Sequence, residues 1–464
     1  MAMVRDSRLQ HVAAVVALAA AVLIAYSNTF HIDFQFDGVP QIKENPSIRD
    51  LGNLHALLVG ARPVTMITFA LNYAAGGLDP FGYHVVNAAI HIANSVLAYL
   101  LVMVTLGAYC AERAWTRRVA FFSALLFAVH PVQTQAVTYI IQRMESLASF
   151  FYLSGLLFFI IASRGPAAGR GPVRTFLLYG AAVAAYALGF YSKEIAVTLP
   201  LAIILYDLFF TSGLSPGRIV KRLPFHAVMV ALMVLFTVLT FGSARGGFSD
   251  MSEENMVGGA KPPALSAAEK APATATPTPP PGAAQKAAGR PSAKGASVGF
   301  NVESITPAEY LLTQSGVITY YLALLVYPAN QNLDYHFPVA TSLFRTPVAA
   351  PGTVLNIPPL PPVVSLVVIA LIFLASARLA LKSRRDPGAH PVAVPISFFI
   401  LWFFAILSPT SSFVPITDVI FEHRLYLASL GFFTVAVLLV DTFAARLLSG
   451  NHAAGKLKAP GDGR

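Results

Sequence analysis

The stretch "HVAAVVALAAAVLIAYSNTFHIDFQFDGVP", residues 11–40, joins an apolar run to a polar segment with two aspartates. Residues 11–29 contain no Asp, Glu, Lys or Arg, and a helix of that length can cross a bilayer core of about 30 Å. The run is longer than the apolar core of a signal peptide, and no A-x-A-like cleavage site follows it. We therefore predict a retained transmembrane helix that ends just before Asp33 and Asp37.

The whole chain has the composition of a membrane protein. Of its 464 residues, 56% are hydrophobic and only 12% are charged, against about 25% charged in soluble domains. We predict an all-α polytopic membrane protein, a bundle of about 10–12 transmembrane helices with a large first external loop that carries interfacial helices. Ten apolar runs locate the spans, at about 11–29, 83–108, 119–138, 146–163, 174–191, 195–211, 225–243, 363–381, 391–408 and 425–445.

The basic residues predict the orientation of these spans. Arginines and lysines cluster in alternate loops, which are cytoplasmic if both termini are cytoplasmic. The net charge of +10 therefore indicates topology, and we expect no nucleic-acid partner. The basic segments are 5–8, 113–118, 164–174, 218–222, 378–385 and 446–458, and the external loops are then about 30–82, 139–145, 192–194, 244–362 and 409–424.

Three segments depart from this pattern of alternating spans. Residues 309–328 are apolar, but a full crossing there would place the basic segment 378–385 outside, so we expect an interfacial or re-entrant helix or half of an unresolved pair. Residues 62–76 predict a helix on the outer surface. Residues 258–298, rich in Ala, Pro, Lys and Gly, predict a disordered external insertion. The transmembrane domain is thus expected to span 1–445, with a short cytoplasmic tail at 446–464.

The first external loop offers a candidate general base. Asp37 lies between Phe36 and Gly38, and an acid held among aromatic side chains can have a raised pKa and accept a proton. Gly38 would allow a sharp turn and a close approach of substrate. The alternative is an acid that only caps a turn at the membrane surface.

Outer-face cations form a second group of candidates. Arg143 and Arg424 both fall outside, against the positive-inside trend, and arginine suits a phosphate or a carboxylate. Lys193 lies in a tight outer turn between two spans. The alternatives are an Arg143 pair with Glu145 and simple snorkelling of Lys193.

Further polar residues in or beside the outer loops could position a substrate. His84 and Asn87 share one helix face, where the alternative is hydrogen bonding between helices. A single cysteine, Cys110, excludes a disulfide framework, and one loop acid beside a glycine is a poor divalent site, so we expect no metal and no cofactor. The candidates for positioning are Asp33, Arg62, His84, Asn87, His130, Gln133, Glu194, Glu422 and His423.

Six segments in order resemble the integral-membrane glycosyltransferases of the GT-C superfamily, in particular bacterial relatives of the transmembrane-and-tetratricopeptide O-mannosyltransferases. They are "FQFDGVPQIKENPSI", "RPVTMITFALNYAAGGLDPFGYHVVNAAIHIANS", "HPVQTQAVTYIIQRMESLA", "YSKEIAVTLPLAIILYDL", "YLLTQSGVITYYLALLVYPANQNLDYHFPV" and "SPTSSFVPITDVIFEHRLYL". Two features depart from the family pattern: Gly38 stands where relatives often have a second acid, and the chain stops at Arg464 without tetratricopeptide repeats.

The resemblance implies a polyprenyl-phosphate-linked sugar as donor and Asp37 as the catalytic acid. It implies that Arg143, Lys193 and Arg424 bind the donor phosphate. The acceptor would be a protein, lipid or glycan hydroxyl at the outer face of a bacterial inner membrane, with inversion at the sugar. The rival functions are a transporter or flippase of a lipid-linked intermediate and an oligosaccharide ligase or polymerase.

Overall fold

The computed structural model describes residues 2–110, 112–165, 169–242, 305–385 and 392–449. The predicted insertion at 258–298 and most of the predicted tail lie outside these residues. Within them the chain is helical and contains no strand, which confirms the predicted all-α class. The α-helices are α1 Ala2–Ala25, α2 Leu54–Val59, α3 Pro63–Gly76, α4 Pro80–Leu106, α5 Arg113–Val129, α6 Thr134–Thr138, α7 Arg143–Ser163, α8 Pro172–Phe190, α9 Leu199–Tyr206, α10 Pro216–Ile219, α11 Leu223–Gly242, α12 Pro307–Val326, α13 Pro362–Arg385, α14 Ala393–Leu407 and α15 Leu425–Ser449.

Proline and capping residues fix where several of these helices begin. A proline occupies the first turn of α3, α4, α8 and α12, where its missing N–H costs no helical hydrogen bond. Asp79 caps α4 by accepting a hydrogen bond from the Phe81 N–H at 3.0 Å. Short 3₁₀ or π turns lie at Val39–Lys43, Pro46–Ile48, Leu51–Asn53, Pro131–Gln133, Ile140–Gln142, Glu194–Thr198, Asp207–Thr211, Val220–Arg222 and Glu422–Arg424.

Eight segments of the described chain are long and apolar enough to cross a membrane. Every one of the ten predicted runs coincides with helix, but two do not form an unbroken span. Helix α14 has only 15 residues, and the run at 119–138 is bent by 53°; counting the bent pair as one span gives nine. The eight segments are Arg8–Ala25, Pro80–Leu106, Ile140–Ser163, Pro172–Phe190, Glu194–Thr211, Gly217–Leu239, Pro362–Arg385 and Glu422–Ala445.

The bend lies at His130 and Pro131. The residue before a proline avoids the helical region, and His130 is extended at φ −67° and ψ 132°. Its ring Nδ1 accepts a hydrogen bond from the Val132 N–H at 3.2 Å and so caps the next turn. The break turns Pro131–Thr138 away from the direction of α5 before α7 begins.

Helix α12 corresponds to the ambiguous apolar segment. It is not among the candidate spans of the described chain, and one of its faces is polar yet buried in protein. The Gln314 Nε2 donates to the Val419 carbonyl at 2.8 Å, and the Thr313 hydroxyl accepts from the Ala340 N–H at 2.9 Å. The helix therefore supports the loop that precedes α15.

The first external loop packs as a small second core on the end of the bundle. Phe34, Phe69 and Ile141 are buried in it together with Tyr83 of α4. Two of its residues other than glycine, Phe36 and Arg62, have positive φ angles of 42° and 55°. Such angles are uncommon outside glycine and persist where the surroundings impose them.

Gly38 lies in a turn, in which its N–H donates to the Gln35 carbonyl at 2.8 Å, but this turn does not require the conformational freedom of glycine. Its φ is −66°, an ordinary helical value, and a Cβ there would meet Phe34 only at normal contact distance, 3.8 Å. The left-handed conformation falls instead on Phe36, one residue before Asp37.

Candidate functional site

A cavity of about 470 Å³ opens among the ends of the helices. All five predicted external loops contribute to its lining, which brings together residues far apart in the chain. The polar and charged residues that line it are Asp37, Gln41, Arg62, Tyr139, Gln142, Glu145, Lys193, Glu194, Thr237, Asp334, Thr410, Asp418, His423 and Arg424.

Asp37 stands at the cavity with its side chain exposed. Its backbone N–H donates to the Tyr139 hydroxyl at 2.9 Å, which fixes the chain at this point. Partial desolvation raises the pKa of the Asp37 carboxyl above its usual value, and the nearby positive charges of Arg62 and Lys193 partly oppose that rise. The carboxylate is therefore a better proton acceptor than an ordinary surface aspartate.

Lys193 lies deeper in the same cavity and forms a buried ion pair. Its Nζ is 2.8 Å from Glu145 Oε2, with side chains 13% and 1% exposed. The ammonium also donates to Gln142 Oε1 at 3.0 Å. Burial lowers the pKa of Lys193, and the charge of Glu145 counteracts that effect.

Arg62 forms a second ion pair beside the first. Its Nε donates to Glu194 Oε1 at 3.1 Å and its Nη2 to Glu194 Oε2 at 3.0 Å. The Nη1 instead contacts the sulfur of Met144 at 2.8 Å, which is a weak acceptor. Burial would lower the pKa of Arg62, but the Glu194, Glu145 and Asp37 carboxylates leave it raised.

Arg424 and His423 form the far wall. Arg424 donates from Nη1 to the Val419 carbonyl at 3.1 Å and from Nη2 to the Asp418 carbonyl at 2.8 Å, and its guanidinium lies over the Phe421 ring. His423 is held by the Gln135 side-chain oxygen, which accepts from its backbone N–H at 2.6 Å and lies 3.0 Å from its ring Nδ1. Both side chains are thus anchored with little freedom to move.

The structure places Arg143 away from the cavity. The side chain is fully buried and uses its guanidinium on neutral acceptors: Nε on Asn87 Oδ1 at 2.7 Å, Nη1 on Asn72 Oδ1 at 2.6 Å and Nη2 on the Tyr83 carbonyl at 2.9 Å. It also stacks on the Phe69 ring at 4.5 Å. Arg143 ties α3 and α4 to the start of α7, and the anticipated pair with Glu145 is not formed, because Glu145 faces Lys193.

Four other candidates also lie in the supporting structure and do not line the cavity. His84 Nε2 contacts the Ile32 carbonyl at 2.8 Å, which ties loop one to α4. Asn87 donates to the Val137 and Ile140 carbonyls, and Gln133 donates to the Ser429 hydroxyl at 2.9 Å. His130 caps the turn after the bend. The contacts of His84 and Asn87 match the alternative of hydrogen bonding to other segments.

Asp33 and Glu422 line a second, smaller cavity of about 200 Å³. Asp33 pairs with Lys43 at 3.0 Å on the surface, and the hydrogen bonds from Lys43 and from the Phe34 N–H lower its pKa. Glu422 accepts hydrogen bonds from the Tyr335 hydroxyl, from Gln331 Nε2 at 2.7 Å and from the Asn332 N–H at 3.0 Å. The two cavities share Tyr139 and Leu333 as a wall.

Sequence reasoning missed Tyr139 and gave Glu145 no place in the site. The segment "TYIIQRMES" at 138–146 contained the signal, because polar residues crowd the break between two apolar runs there. In the described part of the chain, no group of three His, Cys, Asp or Glu side chains could hold a metal ion.

Chemically, the main cavity combines an acid, several cations and apolar walls. The cations lie at fixed positions and could bind an anion, while Asp37 could take a proton from a neighbouring hydroxyl. Apolar residues on the bundle side could lie along a lipid chain, and they are Phe190, Ile195, Val197 and Ile416.

Comparison with known proteins finds relatives that are named protein O-mannosyl-transferases. The chain is 26% identical to Tmtc3 of Drosophila melanogaster over 230 residues, which is 43% of this chain and 24% of the relative. It is 29% identical to TMTC2 of Mus musculus over 236 residues, 47% of this chain and 27% of the relative. It is 30% identical to TMTC1 of Homo sapiens over 232 residues, 45% of this chain and 25% of the relative.

The matched part of the chain spans about a quarter of the length of these relatives. No family model and no solved structure matches. The relatives support the resemblance to transmembrane O-mannosyltransferases at modest identity.

Proposed function

We propose that this chain is a membrane glycosyltransferase of the GT-C type that moves a sugar from a polyprenyl-phosphate donor to a hydroxyl acceptor. The observation that carries the proposal is the single cavity in which Asp37 meets Arg62, Lys193 and Arg424. The names of the relatives favour a mannosyl-type sugar and a protein acceptor. The reaction would occur at the outer face of the membrane, with both termini cytoplasmic. The relatives named above are animal proteins, and the proposed location in a bacterial inner membrane follows from the sequence resemblance.

The cations of the cavity support binding of a donor phosphate. The Lys193 ammonium has three protons; it donates to Gln142 and lies 2.8 Å from Glu145, so it keeps a donor for a ligand. Arg62 Nη1 has only the weakly accepting Met144 sulfur as its partner, so a phosphate oxygen that approaches it can accept its N–H bonds while Glu194 holds Nε and Nη2. Their carboxylate partners hold both cations in place and favour their charged forms.

Asp37 would act as the general base. The acceptor hydroxyl oxygen attacks C1 of the sugar, its proton passes to the Asp37 carboxylate, and the bond from C1 to the phosphate oxygen breaks. The bonding electrons leave with polyprenyl monophosphate, whose charge Lys193, Arg62 and Arg424 stabilise. A single displacement of this kind inverts the anomeric centre.

The test uses the purified chain in nanodiscs with a panel of polyprenyl-phosphate sugars. Release of free polyprenyl phosphate is measured with and without added acceptor extract. We expect release by the wild type and a loss of about 10²–10⁴-fold in Asp37→Asn, the range for a general base. Asp50→Asn is the matched control, because Asp50 lies on the same loop, is exposed and lines neither cavity.

Two outcomes would contradict the proposal. Absence of release with every donor would favour a transporter of a lipid-linked intermediate. Equal release by Asp37→Asn and wild type would remove Asp37 as the base. The donor that supports release would also identify the sugar.

A further inference from the structure

His423 lines the main cavity with its imidazole ring held along one edge. The side chain is buried, and its ring stacks on the Phe421 ring with the two centroids 5.0 Å apart. The ring Nδ1 lies 3.0 Å from the side-chain oxygen of Gln135. The Gln135 amide is oriented by its own nitrogen, which donates to the Leu333 carbonyl at 3.2 Å. This orientation directs the amide oxygen, and not the amide nitrogen, at His423.

These contacts decide which nitrogen of the His423 ring bears the proton. A carboxamide oxygen only accepts hydrogen bonds, so the Nδ1 beside it is the donor. In a neutral imidazole the other nitrogen, Nε2, then carries a lone pair. The Nε2 of His423 makes no hydrogen bond to a described residue, and it is not sealed inside the protein. The ring therefore presents an unused hydrogen-bond acceptor at the cavity.

The neighbouring charges limit what this acceptor can bind. Lys193, Arg62 and Arg424 are close enough for their positive charges to oppose a second proton on the ring. The phosphate of the proposed donor is a diester without a proton near neutral pH, so it has no hydrogen to offer to Nε2. The remaining polar groups of the donor head are the hydroxyls of the sugar, and each of them can donate a hydrogen bond.

From these features we infer that His423 Nε2 accepts a hydrogen bond from a hydroxyl of the donor sugar and so helps the site to distinguish one sugar from another. The inference rests on the proposed function and adds the atom that contacts the sugar. The cations around the ring would bind the phosphate to which the sugar is attached, which places the sugar beside His423. A buried acceptor of this kind disfavours an analogue without the hydroxyl, because the nitrogen is then left unpaired.

Binding of donor fragments tests the contact without relying on sugar transfer. Short-chain prenyl phosphates are titrated into the detergent-solubilised full chain by isothermal calorimetry, with a panel of sugars attached and with none. The sugar that binds most tightly is then supplied in forms that each lack one hydroxyl. We expect one of these deoxy forms to bind the wild type about three- to tenfold more weakly, the value of one hydrogen bond.

Two replacements of His423 separate the Nε2 acceptor from the support that Nδ1 provides. The amide nitrogen of His423→Asn stands as far along the side chain as Nδ1 and can still donate to Gln135, but nothing replaces Nε2. The longer side chain of His423→Gln can place its amide oxygen near the position of Nε2. We expect His423→Asn to bind the parent sugar and the deoxy form equally, and His423→Gln to retain part of the difference.

His336→Asn is the matched control, because His336 is exposed and lines neither cavity. It should distinguish the deoxy form as the wild type does. Prenyl phosphate without a sugar should bind all of these proteins with the same affinity, since Nε2 does not contact the phosphate.

The position of the proton is measured directly in ¹⁵N spectra of the chain labelled at histidine. Signals that are absent in His423→Asn belong to His423, and we expect them to show a protonated Nδ1 and an unprotonated Nε2.

Four results would overturn the inference. They are a protonated Nε2, a wild type that is indifferent to every hydroxyl, the same preference among deoxy forms in His423→Asn and wild type, and binding of prenyl phosphate that no sugar improves. Sugar-dependent binding of the expected kind without any release of polyprenyl phosphate would instead contradict only the proposed reaction.

Discussion

Replacement of Lys193 by methionine should separate the structural role of this residue from its chemical role. In the wild type its ammonium is 2.8 Å from Glu145, whose side chain is 1% exposed. Lys193→Met leaves that carboxylate buried without its cation, and breaking one side of a buried pair costs about 3–5 kcal/mol. We expect the lower end, because Lys193 is itself 13% exposed and water can reach the pair.

The double variant Lys193→Met/Glu145→Gln removes the unpaired charge as well. Neutral replacement of a buried ion pair is often close to neutral for stability, so the double variant should recover to within about 1 kcal/mol of the wild type. Transfer should remain about 10²–10³-fold reduced in both variants, because the cation at the phosphate is missing in each. The measurements are the unfolding midpoint in detergent and the release of polyprenyl phosphate.

Lys43→Met is the matched control for stability. Lys43 pairs with Asp33 at 3.0 Å, but the two side chains are 43% and 64% exposed, and such surface pairs contribute about 0–1 kcal/mol. If Lys193→Met lowered the free energy of unfolding by no more than Lys43→Met does, the ion pair with Glu145 would not have the energetics of a buried pair. If the double variant recovered transfer together with stability, Lys193 would have only a structural role.

Three other predictions concern Asp37, Arg143 and Asp207. The kcat/KM of transfer should fall as the pH drops through the raised pKa of Asp37, because only its carboxylate accepts a proton; a profile that is flat from about pH 4 to 8 would contradict this. Arg143→Gln should destabilise the chain by about 1–3 kcal/mol for each buried acceptor that loses its donor, which are Asn87 Oδ1 and Asn72 Oδ1. The KM for donor should be retained, whereas loss of a residue that binds phosphate would raise that KM. Asp207→Asn should destabilise the chain by about 3–5 kcal/mol in thermal unfolding, because Asp207 is buried against Arg222 and His226. It should not change the KM for donor, since Asp207 lines neither cavity.

The sequence predicted the positions of the helices and three of the charged residues that line the main cavity. Apolar length located ten helical runs, because a bilayer core imposes a similar length on every span. Alternation of basic loops then assigned the remaining polar residues to one face, and the structure brings Asp37, Lys193 and Arg424 of that face to one cavity. These signals are local in the chain and need no knowledge of packing.

The sequence could not separate Arg143 from Arg424. In the predicted orientation both break the positive-inside pattern, and both stand at the start of an apolar segment long enough to cross a membrane. The difference arises from the neighbours that tertiary packing provides, which are neutral acceptors on α3 and α4 for Arg143 and the lining of the cavity for Arg424. Similarly, the conformational freedom of glycine led us to expect the sharp turn at Gly38. The positive φ angle lies instead at Phe36, whose ring contacts the Tyr139 ring.

The turn at residues 142–146, "QRMES", joins the site to its support. Because successive residues of a helix point about 100° apart, neighbours in this turn face different partners. Gln142 and Glu145 hold Lys193, Met144 contacts Arg62, and Arg143 ties the turn to α3 and α4. The start of α7 thus helps to set the spacing between the two cations, together with Glu194, which holds Arg62, and the proposed phosphate site needs cations at fixed positions. An insertion within this turn would displace both cations and the support of loop one together, whereas an insertion in an exposed part of loop one would leave that spacing intact.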